Sequence, residues 1–360
     1  MSLRSVTAAE ATADTACFDQ VIDVRSPAEF AEDHLPGAVN WPVLDNDERR
    51  QVGTLYKQVS PLQARKVGAA IVARRIAEHL DAFVADKPRE WQPLVYCWRG
   101  GQRSGTLAWF LGQVGFRTAQ LQGGYKAFRA VVRDELDTLP ARLPQLHVLF
   151  GRTGSGKTRL LHALAAQGAQ TLDLEGLAGH RGSVLGAWPG TAQPSQKRFD
   201  TLCWQALRGL DPQRPVFVEG ESRKIGALRV PEALIRQLRE HGHCIHVELD
   251  EPARVQLLLQ DYGHFAADAE GFCRLLDGLV ELRGRDVVKA WQAQARNGRW
   301  AEVFGALMRQ HYDPLYERSY RSGYQRLAQA TQLRLGDAGA SSLQAAARHL
   351  LGTAVDRATM

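Results

Sequence analysis

Short apolar runs alternate with stretches of helical periodicity along most of this chain. Residues 20–24 read as a strand, followed by a helix opened by Ser26-Pro27, with serine as N-cap and proline in the first turn. Residues 34–40 turn into another short strand. A helix is predicted around 62–83, then a strand at 94–96, a loop from Cys97, a helix through Leu111, and a strand near 119–121 closed by Gly123-Gly124. Two prolines, Pro140 and Pro144, then break the pattern. A second series follows: a strand at 146–150, a helix over 157–167, and strands at 170–174, 215–219 and 244–249. From about residue 250 the pattern is helical, with a glycine and serine break near 336–342. Strands alternating with helices imply parallel sheets covered on both faces, an α/β fold. The expected division is an α/β domain over 1–138, a linker over 139–145, a second parallel α/β domain over 146–280, and a helical C-terminal region over 281–360.

With 360 residues the chain is long enough for two such domains. It has no apolar run of membrane length, and its first residues lack a hydrophobic signal core, so a cytoplasmic protein with no membrane partner is expected. The five cysteines (Cys17, Cys97, Cys203, Cys244, Cys273) are odd in number, scattered, and without C-x-x-C spacing. That argues against a disulfide framework or a zinc site. The net charge of +6 favours a polyanionic partner weakly.

One cysteine stands apart. Leu94-Val95-Tyr96 runs into Cys97, then Trp98-Arg99-Gly100-Gly101-Gln102-Arg103-Ser104 and a helix. Loop amides, a helix N-terminus and a guanidinium all favour a thiolate. Arg99, Gly100, Gly101, Gln102 and Arg103 are the candidate anion-binding residues, with Arg103 placed to form two parallel bonds to an oxyanion above the sulfur. Gly100 and Gly101 are expected to let amides turn inward without a Cβ clash. The other cysteines lack such surroundings and read as packing residues.

The second series opens with Gly151-Arg152-Thr153-Gly154-Ser155-Gly156-Lys157-Thr158 between a strand and a helix, the G-x-x-x-x-G-K-[ST] phosphate-binding loop. Gly151, Gly154, Ser155 and Gly156 wrap backbone amides around a diphosphate, Lys157 reaches its terminal phosphate, and Thr158 offers a hydroxyl to Mg²⁺. The acid on the metal side is Glu219, at the end of Val216-Phe217-Val218-Glu219-Gly220-Glu221, or Asp173. A long glycine-rich loop between them carries His180, Arg181 and Lys197, which either meet a phosphate or RNA or are simply solvated. In the tail, nine basic residues stand against five acidic ones over 281–330, and Tyr312, Tyr316, Tyr320 and Tyr324 recur every fourth residue. On a helix they form one stripe, read as a packing face ahead of an RNA-stacking one. The arginines are the better RNA candidates.

Ile22-Asp23-Val24-Arg25-Ser26-Pro27, Glu29-Phe30, His34-Leu35-Pro36-Gly37-Ala38, Asn40, the Cys97 loop and Gly123-Gly124-Tyr125 together resemble a rhodanese domain over roughly 5–135. Rhodaneses carry a transferable chalcogen on the loop cysteine. Here five residues separate cysteine from arginine, one more than usual and the spacing of cysteine phosphatases of this fold. The wider loop suits a tetrahedral oxyanion, phosphate or a selenium-bearing analogue. Joined to the phosphate-binding loop, and with Gln193-Pro194-Ser195-Gln196-Lys197, the chain resembles the tRNA 2-selenouridine synthase family. The resemblance implies a transferase that replaces sulfur by selenium in wobble 2-thiouridine of tRNA. It implies selenophosphate and geranyl diphosphate as co-substrates and a geranylated thiouridine as intermediate. A P-loop small-molecule kinase with a regulatory rhodanese module, and a cysteine phosphatase, stay open as alternatives.

Overall fold

The computed structural model describes residues 3–316 and 323–358. The chain divides into two compact units, one of residues 1–135 with 194–205, the other of 136–193 with 206–360.

The first unit is built on five parallel strands, β1 (Arg4–Val6), β2 (Gln20–Asp23), β3 (Ala38–Asn40), β4 (Pro93–Tyr96) and β5 (Ala119–Leu121), in the order β1-β5-β4-β2-β3. The central strand β4 is buried along its length, as a parallel strand covered on both faces must be. Its end therefore delivers Cys97 from a rigid element. One core cluster joins Ile22, Val24, Val95 and Cys97 to Ile71, Val72 and Ile76 of the helix Pro61–Phe83 and to Leu107, Ala108 and Leu111 of the helix Gln102–Val114. The terminal strand β1 is a finding that the sequence pattern did not yield, because three residues carry too little alternation.

A second finding is that residues 194–205, far along the sequence, complete this unit. Thr201 donates to the buried carboxylate of Asp33 at 2.9 Å, as does the Tyr125 hydroxyl, also at 2.9 Å. Trp204 meets Phe128 edge to face at 5.5 Å and donates its indole N–H to Glu135 at 2.8 Å.

The second unit carries five parallel strands, β6 (Leu146–Phe150), β7 (Gln170–Leu172), β8 (Val216–Glu219), β11 (His243–Glu248) and β12 (Thr331–Arg334), in the order β12-β11-β6-β8-β7. A short antiparallel hairpin, β9 (Lys224–Ile225) with β10 (Leu228–Arg229), lies outside the sheet. The region after 281 is not helical throughout, which corrects the expectation. β12 extends the sheet beside β11, and the helix Ala340–Ala358 packs Leu343, Ala346, Ala347 and Leu350 against Leu160, Leu161 and Leu164. The helices between, 251–307, bury their own cluster around Phe272, Trp291 and Phe304.

Tyr312 and Tyr324 do not share one helical stripe. Tyr312 packs on the helical cluster, whereas Tyr324 follows the helical segment and meets Phe150 edge to face at 4.3 Å. Glu317, Arg318, Tyr320 and Arg321 lie outside the described residues. Among the described residues no helix is long and apolar enough to cross a membrane.

Candidate functional site

In the first unit the chain leaves β4 at Cys97 and wraps its sulfur before the helix Gln102–Val114 begins. The Gly101 amide donates to Sγ at 3.3 Å and the Ser104 hydroxyl at 3.2 Å. Burial of the thiol raises its pKa, but the bonds from Ser104, together with the Arg103 charge, outweigh it and leave the pKa below the ordinary value. Gln120, on β5, donates to Ser104 Oγ and to the Gly100 carbonyl, both at 2.9 Å. Nothing in the sequence marks this glutamine: the strand-end geometry that aims it at the loop is tertiary.

Gly100 has φ +64°, and a Cβ there would lie 2.4 Å from the Leu121 carbonyl oxygen. Gly124, at φ +57°, would place a Cβ 2.3 Å from the Cys97 carbonyl oxygen. The amides of Tyr125 and Lys126 donate to the carbonyls of Cys97 and Trp98 at 2.9 and 3.0 Å, so the Gly123-Gly124-Tyr125 turn supports the cysteine loop from below. Gly101 differs from the expectation. Its φ is −97° and a Cβ would meet nothing within 4 Å, so neither backbone nor space demands glycine there.

Arg103 points to a protein partner, its Nη1 lying 3.2 Å from Glu29 Oε2, with Arg49 3.6 Å from the same oxygen. Burial raises the Glu29 carboxyl, yet the Arg103 and Arg49 charges and the Ser26 amide hold it below its usual range. Glu29 thus fixes Arg103 beside the loop. Arg99 and Gln102 are exposed on the loop rim. Lys197 belongs to this unit. Its Nζ pairs with Glu32 at 2.6 Å and stands 5.9 Å from the Trp98 ring centre.

In the second unit β6 ends at Phe150 and the phosphate-binding loop follows. Gly154 and Gly156 have φ +78° and +84°, a conformation that favours glycine. A Cβ on Gly151 would lie 2.5 Å from the Val247 carbonyl oxygen. Lys157 Nζ donates to the carbonyls of Gly151 at 2.7 Å and Arg152 at 3.4 Å, curling back over the loop. Ser155 is buried, its Oγ without a hydrogen-bond partner among the described residues.

Glu219 ends β8, 3% exposed, within hydrogen-bonding reach of Thr158, and its Oε1 has no hydrogen-bond partner among the described residues. Carboxylate oxygens of Glu175, Glu219 and Glu221 lie within 4.8 Å of one another. Burial, then the charges of Glu219 and Glu221, push Glu175 up to about 10; burial and Glu219 push Glu221 up to about 8. Burial also raises Glu219, against the pull of Lys157 and Thr158. Three crowded carboxylates with an unpartnered oxygen fit a divalent cation. Asp173, the alternative acid, is otherwise engaged. It caps the helix Leu174–Ala178 by accepting from the Gly176 amide at 2.7 Å and pairs with His162 at 3.0 Å. Glu175, two residues on, takes the place beside Glu219; as a lone acid in a short helix it gives no sequence signal.

A cavity of about 480 Å³ opens over the loop, walled by these glutamates, Arg181, Tyr262 and Tyr312. Arg181 stacks over the Tyr262 ring at 4.9 Å and donates to the Asp261 carbonyl at 2.8 Å. His180 Nδ1 accepts from the Gly182 amide at 3.0 Å, shaping the same loop. Gln193 bonds the carbonyls of Ala178 and Ile225 and accepts from the Ala227 amide, which ties this loop to the hairpin.

The tRNA 2-selenouridine synthase AAA domain family matches residues 144–276, and the rhodanese-like domain family matches 5–131. A tRNA 2-selenouridine synthase of Aeromonas salmonicida is 34% identical over 82% of this chain and 86% of its own. The chain belongs to the tRNA 2-selenouridine synthase family. Another member, from Nitrosomonas europaea, is 38% identical over 67% of this chain and 63% of that one. A solved rhodanese-related protein from Thermoplasma volcanium aligns at 20% identity over 36% of this chain and 92% of its own, with a TM-score of 0.24. The first unit is thus a rhodanese-like domain, and the second carries the family's P-loop domain.

Proposed function

We propose that this enzyme is a transferase that replaces sulfur by selenium at C2 of wobble 2-thiouridine in tRNA, by way of a geranylated thiouridine. The observation that supports this reading is the pairing, in one chain of this family, of a cysteine sulfur that accepts from a loop amide and a serine hydroxyl with a cavity over a P-loop.

Expulsion of sulfide from C2 of the base is difficult. Alkylation of that sulfur by geranyl diphosphate, with release of diphosphate, converts the leaving group into a thiol. The P-loop amides and Lys157 hold the diphosphate and stabilise the charge it gains on departure. Thr158 and Glu219, with Glu175 and Glu221 beside them, would hold a divalent cation that neutralises part of that charge. Selenium then displaces geranyl thiol at C2. In selenophosphate, selenium already stands at the selenide level, so its delivery at that level needs no oxidant. The Cys97 loop holds the selenophosphate oxygens with backbone amides and Arg103. The Cys97 thiolate attacks phosphorus, an S–P bond forming as the P–Se bond breaks, selenide departs to C2, and water then releases phosphate from the cysteine.

Thiolated tRNA incubated with the protein, selenophosphate and geranyl diphosphate, each omitted in turn, tests the reading by mass spectrometry of nucleosides. Selenouridine in the full reaction, and geranylated thiouridine when selenophosphate is left out, are expected. Unchanged tRNA under every condition would return the chain to the kinase and phosphatase alternatives.

A further inference from the structure

The second unit has a groove that the proposed chemistry does not use. The β9–β10 hairpin and the helix Glu232–His241 border it, and it encloses about 870 Å³. Arg223, Lys224, Arg229, Arg236 and Arg239 line it against two glutamates. Arg223, Lys224 and Arg236 are exposed and make no ion pair among the described residues. Five cations in one depression repel one another, and a polyanion lying in the groove relieves that repulsion.

The groove adjoins the P-loop cavity along the chain. Glu221 and Ser222 line the cavity, and the next two residues, Arg223 and Lys224, line the groove. Tyr324 stands at the boundary. Its hydroxyl donates to the Glu221 carbonyl at 3.3 Å, its ring packs on Phe150, and the Arg239 guanidinium lies 5.9 Å from its centre. With its ring engaged in this way, Tyr324 is a wall and not a platform for a base. Among the described residues the groove therefore offers cations and no free aromatic face, which suits contact with a phosphate backbone ahead of base stacking.

We infer that this groove binds the sugar-phosphate backbone of the RNA substrate, holding it so that a neighbouring base enters the P-loop cavity. The inference rests on the proposed tRNA reaction for the identity of the polyanion. Arg285, Lys289 and Arg296, basic candidates on the tail helix Arg285–Arg296, do not line this groove.

The test measures affinity of the full chain for thiolated tRNA over a series of salt concentrations. The triple variant Arg223→Ala/Lys224→Ala/Arg236→Ala is expected to bind at least about tenfold more weakly at low salt, and to lose about three units of the salt slope, one for each phosphate contact removed. Arg223→Lys/Arg236→Lys keeps the charge and is expected to retain most of the affinity. Arg285→Ala/Lys289→Ala, on the tail, is expected to bind as the unaltered chain does. Thermal stabilisation by geranyl diphosphate, equal in all variants, shows that the P-loop unit stays folded. Unaltered tRNA affinity in the triple variant, or weakening by the tail variant alone, overturns the groove and leaves the tRNA reaction standing. Absence of tRNA binding by the unaltered chain overturns both.

Discussion

Ser104 Oγ donates to Cys97 Sγ across 3.2 Å while accepting from Gln120 Nε2 at 2.9 Å. The glutamine occupies a lone pair of the hydroxyl, whose one proton faces the sulfur and the Gly101 carbonyl, each at 3.2 Å. Ser104→Ala removes the strongest of the influences that lower the Cys97 pKa. The pH profile of iodoacetamide alkylation at Cys97 is expected to move to higher pH, with Gln120→Ala moving it in the same direction by less. An unchanged profile in Ser104→Ala would show that the hydroxyl does not stabilise the thiolate. Cys244, pushed up to about 11 by burial, serves as the internal comparison and is expected to react slowly throughout.

The two loop glycines have different parts. Gly100→Ala forces a side chain into φ +64° and onto the Leu121 carbonyl, at a cost of about 1–3 kcal/mol. Gly101→Ala meets open space. Melting measurements are therefore expected to show a loss for Gly100→Ala and almost none for Gly101→Ala. Equal loss in both would mean that the loop does not adopt this backbone.

Much of this architecture is legible in the sequence, since the strands flanking both loops are apolar, short and bounded by glycine or proline, and the loops carry their own spacing. The strand at 119–121 and the helix ending at Phe83 coincide with their expected limits. What escapes is set by tertiary contact. β12 has only four residues, half-buried at a sheet edge, after a long helical region, so no local pattern announces it. Residues 194–205 join the first unit through Thr201 and Trp204, whose partners Asp33, Phe128 and Glu135 are far away in sequence. Glu29, Gln120 and Glu175 are ordinary polar residues until the fold aims them at Arg103, Ser104 and Glu219.

The acidic cluster gives stability a definite pH dependence. Each glutamate has a folded pKa above its unfolded value, so the native state binds more protons between the two. Its contribution is complete below the ordinary carboxylate range and falls as pH rises, through about 8 for Glu221 and about 10 for Glu175. The melting temperature is expected to drop from about pH 6 to about pH 9, and less so in Glu175→Gln/Glu221→Gln. Added Mg²⁺ is expected to restore more stability at the higher pH. A Mg²⁺ effect equal at both pH values, or unaltered in the double variant, would argue that the cluster holds no cation.

Glu29→Gln leaves Arg103 without its carboxylate partner. Selenation is expected to fall through a higher KM for selenophosphate, because the guanidinium is no longer held at the loop, while geranylation keeps its rate. Loss of both activities in parallel would point to a fold defect instead.

The most direct measurement assigns one step to each loop. Nucleosides from thiolated tRNA treated with the unaltered chain, Cys97→Ser and Lys157→Ala are quantified by mass spectrometry. Cys97→Ser is expected to make geranylated thiouridine and no selenouridine. Lys157→Ala is expected to lose geranylation by about a hundredfold or more, as removal of a transition-state charge partner does. Equal loss of both products in Cys97→Ser, or normal geranylation by Lys157→Ala, would contradict the division of labour between the two loops.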